Sequence, residues 1–460
     1  MSIPTAVEKV FTEQQISYST TNAGDASSSD PSIALNQIAK AIVLQDSIGK
    51  LQAVIPADCI LDLSELCELL GRNLQGISPQ ELKELHTSLG VTALPAVPQM
   101  TGLPTIIDQR LLNQDTVYLE GAQENGLIEL SKNDFHKLTQ TTSNNRFSVE
   151  VQQHLDAGEP EGDMDAILVA IKNFTSLRIK QRLEETLEIP PLPDSAQKII
   201  KLRADPDADM TQLSRVVETD PSLAAQVVSW AASPYYAAPG KIKSVQDAVI
   251  RVLGYDLVIN LALGLALGKT LDMPKDAVKG YTSYWQQAVY VAATVQGLVA
   301  SIPRENRPSM GLAYLAGLLS NFGYLILAHV FPPHFTLLCR NIEANPHVSH
   351  VAIERHLIGI SREQLASWLT GLWHMPDEIT AAIRHQHNPE YQGENAVYAK
   401  LIFLATRLLR DHGLADAPND PIPNSIYVEL NLDAEKANEV LERILSSQDD
   451  LNNIASNLDR

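Results

Sequence analysis

Two patterning regimes divide the chain. Up to about residue 145, short apolar runs alternate with helical stretches. "AKAIVLQD" (39–46) and "LQAVIPAD" (51–58) read as strands, with Gly49 in the turn between them. "LDLSELCELLG" has helical spacing and stops on Gly71. "SPQELKELHTSLG" predicts a helix with Ser78 as N-cap, Pro79 in its first position and Gly90 at its end. "LPTIIDQRLL" and "TVYLEGAQENGLIEL" predict further strands around a turn. Residues 142–163 are polar and carry no sustained apolar period. From Ala166 the pattern becomes helical, beginning with "AILVAIKNFTSLRIKQRLEETL" and a break at "IPPLP". The expected fold class is therefore α+β and multidomain: an α/β domain over 1–145, a linker over 146–165 and an all-α domain over 166–460.

Charge narrows the function. The 460 residues carry a formal net charge of −20. Residues 1–150 hold nine Lys and Arg against eighteen Asp and Glu, so neither half is basic. Such a surface repels polyphosphates and acidic membranes, which disfavours tRNA and lipid alike. The longest apolar run, Leu257–Gly268, lies between Asp256 and Lys269 and is about half the ~20 residues of a membrane span. It predicts a buried helix. Three cysteines, Cys59, Cys67 and Cys339, form no close pairs and suit a reducing compartment. The first fifteen residues include Glu8 and Glu13 and no apolar stretch of signal-peptide length. The expectation is a cytoplasmic protein.

The helical half resembles the HDOD domain, the HD-related output domain of bacterial signalling proteins. The motifs are "IPPLP", the Asp220-Pro221-Ser222-Leu223 turn, "SPYY" and the spacing from Ile242 to Gly254. They continue through "YWQQAVYVAATVQGLVA", "AGLLSNFGYLIL", "GLWHMPDEITAAIRHQHNP" and "KLIFLATRLL". Ala232 departs from the family, which has Asn there. The resemblance implies a compact all-helical body derived from HD-type phosphohydrolases, whose His and Asp side chains hold divalent metals that activate water. In this chain those positions fall at Gln287, Ser320, Asn321, Gln386, His387 and Thr406. Only His387 keeps a ligand-type side chain. The resemblance thus implies a domain with no metal, no cofactor and no phosphohydrolase activity.

Histidine content points the same way. Eight of the twelve histidines fall between His329 and His387. His385 and His387 are two apart and face different ways on a helix. His329, His334, His347, His350 and His356 have no carboxylate at ligand spacing. Trp230, Trp285, Trp368 and Trp373 read as core and rim packing.

The N-terminal half is similar to the YbaK/ProX-type aminoacyl-tRNA deacylase domain. The likeness rests on "NQIAKAIVLQDSIGKLQAVIPADCILDLSELCELLG", "SPQELKELHTSLGV" and "TIIDQRLL". The family's pocket lysine matches Lys40, a candidate catalytic residue placed to face a phosphate or an oxyanion. The family's small glycine-containing loop reads here as "GVTALPAVPQMTGLP", with Leu94 where a small residue is expected and Pro95 and Pro98 keeping a turn. The favoured reading is a non-catalytic signalling protein that binds a protein partner or a small ligand. The alternative is a trans-editing deacylase regulated by its helical half.

Overall fold

A computed structural model of the protein describes residues 3–22, 33–91, 93–120, 126–151, 158–174, 191–238, 240–418 and 420–458. The chain forms two compact units. The first comprises residues 1–156, 276–280 and 333–357, and the second comprises 157–275, 281–332 and 358–460. The first unit is thus built from three separate stretches of chain.

The first unit is an α/β body around a mixed sheet. Its strands are β1 (Tyr18–Asn22), β2 (Ile38–Gln45), β3 (Lys50–Pro56), β4 (Cys59–Leu61), β5 (Gln75–Gly76), β6 (Thr105–Asp108), β7 (Thr116–Glu120), β8 (Gly126–Ser131), β9 (Ser143–Asn145) and β10 (Ser148–Glu150). The main sheet runs β1-β8-β7-β2-β3-β6-β9, with β5 on β2, while β4 and β10 pair separately. The β2–β3 hairpin turns at Gly49, whose φ of 145° a side chain would oppose. Alternation along β2 puts Ala39 into one apolar cluster, with Val54, Ile107 and Leu119, and puts Ile42 and Leu44 into another, with Leu51, Ala53, Ile55 and Leu66. Both faces of β2 are therefore covered, and its sequence is apolar almost throughout.

The helix punctuation behaves as its chemistry requires. Ser78 and Glu81 form a reciprocal capping box on helix Pro79–Leu89, which ends on Gly90 at φ 67°. Asp62 caps helix Leu63–Leu70, and Gly71 closes it. In "LPTIIDQRLL" only Thr105–Asp108 is strand; Asp108 then caps the short helix Gln109–Leu112. β9 lies just before the stretch expected as a linker, 146–165, and β10 lies within it. Phe147 between them is 1% exposed, so one aromatic anchors two strands too short to show a period.

The second unit is helical. Its central helices are Tyr255–Gly268, Tyr284–Ser301, Met310–Leu319, Phe322–Val330, Arg362–Leu372, Asp377–His385 and Ala396–Arg410. Leu257–Gly268 is buried at every position, as expected from its sequence. The run Met310–Val330 is long and apolar enough to cross a membrane, but 83% of its most apolar window is buried within the protein. Small residues let these helices meet closely: a Cβ on Gly317 would lie 2.9 Å from the Ala292 Cα. Trp230, Trp285 and Trp373 are buried, with Trp230 edge-on to Tyr314. Helix Asp163–Phe174 covers the start of the stretch that opens at Ala166; the expected continuation through 175–187 and the first two residues of "IPPLP" lie outside the described residues.

Candidate functional sites

Lys40 lies mid-sheet. Its strand runs antiparallel to β3, with Lys40 opposite Ile55, and parallel to β7, with Ala39 opposite Leu119. The next residue of β7 is Glu120, and the Lys40 Nζ donates to its Oε1 at 2.6 Å. The two side chains are 28% and 23% exposed. Lys40 shares the face of β2 that carries Ile42 and Leu44. Two histidines lie near this pair. Burial pushes His86 below its ordinary range, with the Lys40 charge acting in the same direction and Glu120 opposing it. Burial pushes His347 down to about 4, opposed by its hydrogen bond to the Cys59 carbonyl and reinforced by Lys40. His347 keeps its Nδ1 shielded from solvent and without a hydrogen-bond partner.

A cavity of about 600 Å³ opens beside this region, walled by Asn36, Asp58, Cys59, Arg110, Asn113 and Glu150 among others; Lys40 is not in its wall. Burial raises the Cys59 thiol to about 12, which leaves it a poor nucleophile. Arg110 reaches the Ser148 Oγ at 3.1 Å and Asp108 at 3.6 Å. Fully buried Asp108 accepts from the Phe147 N–H at 3.0 Å and from the Ser148 Oγ at 2.8 Å. This knot ties the end of β6 to β10. Sequence reasoning passed over it, although "DQR" closing a strand was its signal. Leu94 is buried, and Pro95 accepts from the Val97 N–H at 2.7 Å, so the loop turns as its prolines suggest while filling its interior with leucine.

In the helical unit, several of the positions singled out in the sequence converge. Gln287 lies on helix Tyr284–Ser301, and Ser320-Asn321 form the break between helices Met310–Leu319 and Phe322–Val330. The Asn321 Nδ2 donates to the Gln287 Oε1 at 3.4 Å, and that oxygen also accepts from the Asp416 N–H at 3.2 Å. The Gln386 Nε2 donates to the Ser320 carbonyl at 2.9 Å. Thr406 turns its hydroxyl back onto the Ile402 carbonyl of its own helix at 2.8 Å. The His387 Nε2 faces the Glu363 Oε1 at 3.4 Å.

The residue that organises this centre was not among those expected. The Arg362 Nη1 donates to the Asn321 Oδ1 at 3.0 Å and to the Asp416 Oδ2 at 3.1 Å. Its guanidinium lies 5.4 Å from the centre of the Tyr324 ring. Arg362 and Glu363 are 2% and 5% exposed, although a charge run such as "SREQ" ordinarily marks a solvated face. The local signal was the capping box of Ser361 and Gln364, which starts the helix here and aims consecutive side chains inward. The next one, Gln364, donates to Asp163 at 2.8 Å, and Arg384 clamps the same carboxylate at 2.6 Å. Within the first unit, His356 also has a carboxylate partner that spacing did not reveal: Asp62, 3.5 Å away.

Comparisons with known proteins find a domain family in each half of the chain. A profile for the HDOD domain matches residues 189–389, and one for the aminoacyl-tRNA editing domain matches 24–138. A crystal structure from Marinobacter aquaeolei VT8, described as that of a candidate signal transduction protein, is 42% identical over the whole of both chains, with a TM-score of 0.90. An HDOD domain protein from Geobacter sulfurreducens aligns at 22% identity over 61% of this chain and 96% of its own, with a TM-score of 0.45. An uncharacterised protein of Treponema pallidum (strain Nichols) is 21% identical over 250 residues, 54% of this chain; the chain spans about half that relative's length, 47%. The chain belongs to the HDOD proteins and carries an aminoacyl-tRNA editing domain at its N-terminal end.

Proposed function

We propose that this protein is a regulatory component of bacterial signal transduction that works by binding and performs no chemistry in its HDOD domain. The observation that carries this reading is the 3.0 Å bond from Arg362 to Asn321. Apart from His387, which lies against Glu363, these residues do not fit a divalent metal. Gln287, Asn321 and Gln386 offer neutral amides, and a guanidinium already engages the Asn321 oxygen and the Asp416 carboxylate. A further cation about 4 Å from it would meet a repulsion of roughly 4 kcal/mol per unit charge near a protein surface. Neutral amides do not offset the dehydration of a small divalent ion. Without a metal there is no activated water at neutral pH.

The partner expected for such a domain is another protein, or a small ligand that alters its binding face. The acidic surface disfavours tRNA, and an odd count of three cysteines suits the cytoplasm. The test is elemental analysis of the full chain purified without chelator, together with hydrolysis of a model phosphodiester. Absence of both metal and turnover is expected; stoichiometric manganese, iron or zinc with turnover overturns the reading. A second reading, an editing deacylase governed by the helical unit, draws support from Lys40, which stays 28% exposed on its strand.

A further inference from the structure

Residues 333–357 belong to the first unit, while the chain before and after them belongs to the second. Their attachment is unusual in kind. Strand β4 pairs along one edge with β10, Leu61 opposite Ser148 and Cys59 opposite Glu150. Its other edge has no strand partner among the described residues. Asn345 takes that place with its side chain: the Leu61 N–H donates to the Asn345 Oδ1 at 2.7 Å, and the Asn345 Nδ2 donates to the Leu61 carbonyl at 3.0 Å. Two residues on, the His347 Nε2 bonds the Cys59 carbonyl at 3.0 Å. Positions 345 and 347 thus meet positions 61 and 59 at the two-residue period of a strand. Asn345 is fully buried.

Further polar bonds hold the same unit together. The Lys279 Nζ donates to the Gln75 Oε1 at 2.7 Å, its N–H donates to the Glu343 Oε1 at 2.7 Å, and Arg340 pairs with Asp276 at 3.0 Å. His356 faces Asp62 at 3.5 Å. Ala344 is the member of this segment in the apolar cluster of Ile42, Leu44 and Ile55. That cluster lies on the Lys40 face of β2. Phe335, Leu338, Ile342 and Ile353 of the segment are buried as well, so the part that can open without unfolding the sheet beneath is its hydrogen-bonded edge on β4, where each bond contributes modestly against water.

We propose that residues 333–357 are a releasable strap over the Lys40 face of the editing domain. Asn345 and His347 stand in for a third strand on β4. Because both ends of the strap continue into the helical unit, a ligand or partner bound by that unit has a direct mechanical route to the editing domain. This goes beyond the proposed function and holds whether the Lys40 face binds or catalyses.

Cys59 provides the readout, since it is 1% exposed and its carbonyl is the one His347 holds. The full chain is treated with a thiol-reactive maleimide in three forms: unaltered, Asn345→Asp and His347→Phe. Peptide mapping then follows labelling at Cys59 and Cys67. Aspartate preserves the size of Asn345 and accepts from the Leu61 N–H but cannot donate to the Leu61 carbonyl. The expected result is labelling of Cys59 faster by about tenfold in both variants, the scale of one or two lost hydrogen bonds, with far-UV dichroism and cooperative melting retained. Unchanged Cys59 labelling in both variants overturns the proposal. Equal acceleration at Cys59 and Cys67 with loss of dichroism also overturns it, because the segment would then be required for folding.

Discussion

The Arg362 guanidinium sits 3.0 Å from the Asn321 Oδ1 and 3.1 Å from the Asp416 Oδ2, so one buried cation joins an amide and a carboxylate at the centre of the helical unit. The first prediction tests how much the unit depends on it. Arg362→Gln removes a side chain that is 3% exposed and takes its cation from a carboxylate that is 10% exposed. Breaking a buried pair from one side costs about 3–5 kcal/mol. Urea unfolding followed by tryptophan fluorescence should show a loss of that size. Adding Asp416→Asn should recover part of it, because the two sites share one interaction. Strictly additive losses would mean that the pair contributes nothing.

Lys40 and Glu120 are a mirror of the same logic, with a carboxylate cancelling the cation of the editing domain at 2.6 Å. Glu120→Gln frees the ammonium while keeping the side chain's shape. On the binding reading, both the natural chain and this variant leave a panel of mischarged tRNAs at the background rate of hydrolysis. Robust turnover that Lys40→Ala abolishes would promote the editing reading.

How much of this was legible in sequence follows the distance over which each signal acts. Ser78, Gly90 and Gly71 set helix ends through bonds within one turn, and their residue types alone placed them. The α/β and all-helical halves were legible because apolar periods persist over many residues. Asn345 and Leu61 are 284 positions apart, and no local pattern marks an asparagine as the partner of a strand edge. β9 and β10 are three residues each, shorter than any period. At the centre of the helical unit, motif matching located Gln287, Asn321 and Gln386 but not Arg362. The family pattern names ligand positions, and Arg362 arrives from helix Arg362–Leu372, which carries none of them.

The pH dependence of stability should carry the imprint of His347. Its folded value falls from about 6.5 to about 4, chiefly through burial, so the fold holds it neutral while the unfolded chain takes up a proton below pH 6.5. Its contribution is therefore complete above about pH 6.5 and declines as pH falls toward 4, by roughly 3 kcal/mol at most. Asp62, held below its ordinary range mainly by the His356 hydrogen bond, adds a loss at lower pH, beginning near 4. Stability measured by urea titration from pH 8 to pH 4 should fall for the natural chain. His347→Gln should flatten the segment between pH 6.5 and 4. Parallel curves for the two proteins would show that His347 is protonated as readily in the fold as out of it.

The last prediction concerns how Arg362 is brought to its place. Gly323, in helix Phe322–Val330, lies where an added Cβ would be 2.1 Å from the Arg362 carbonyl oxygen and 2.6 Å from its carbon. These are backbone atoms of the first turn of the facing helix, and they have no rotamer by which to withdraw. Gly323→Ala must therefore push the two helices apart and draw the guanidinium away from Asn321. Overpacking of this kind costs typically 1–3 kcal/mol, to which the weakened ion pair adds. Gly371 provides the contrast: its added Cβ would touch only the Thr380 methyl at 3.9 Å, an ordinary contact in an exposed helical position. Gly371→Ala should stabilise the chain by roughly 0.5–1 kcal/mol through the loss of glycine's conformational freedom. The two substitutions make the same chemical change, so a thermal melt of each separates close backbone approach from helix propensity. If both raise the melting temperature equally, Gly323 is not the contact that seats Arg362.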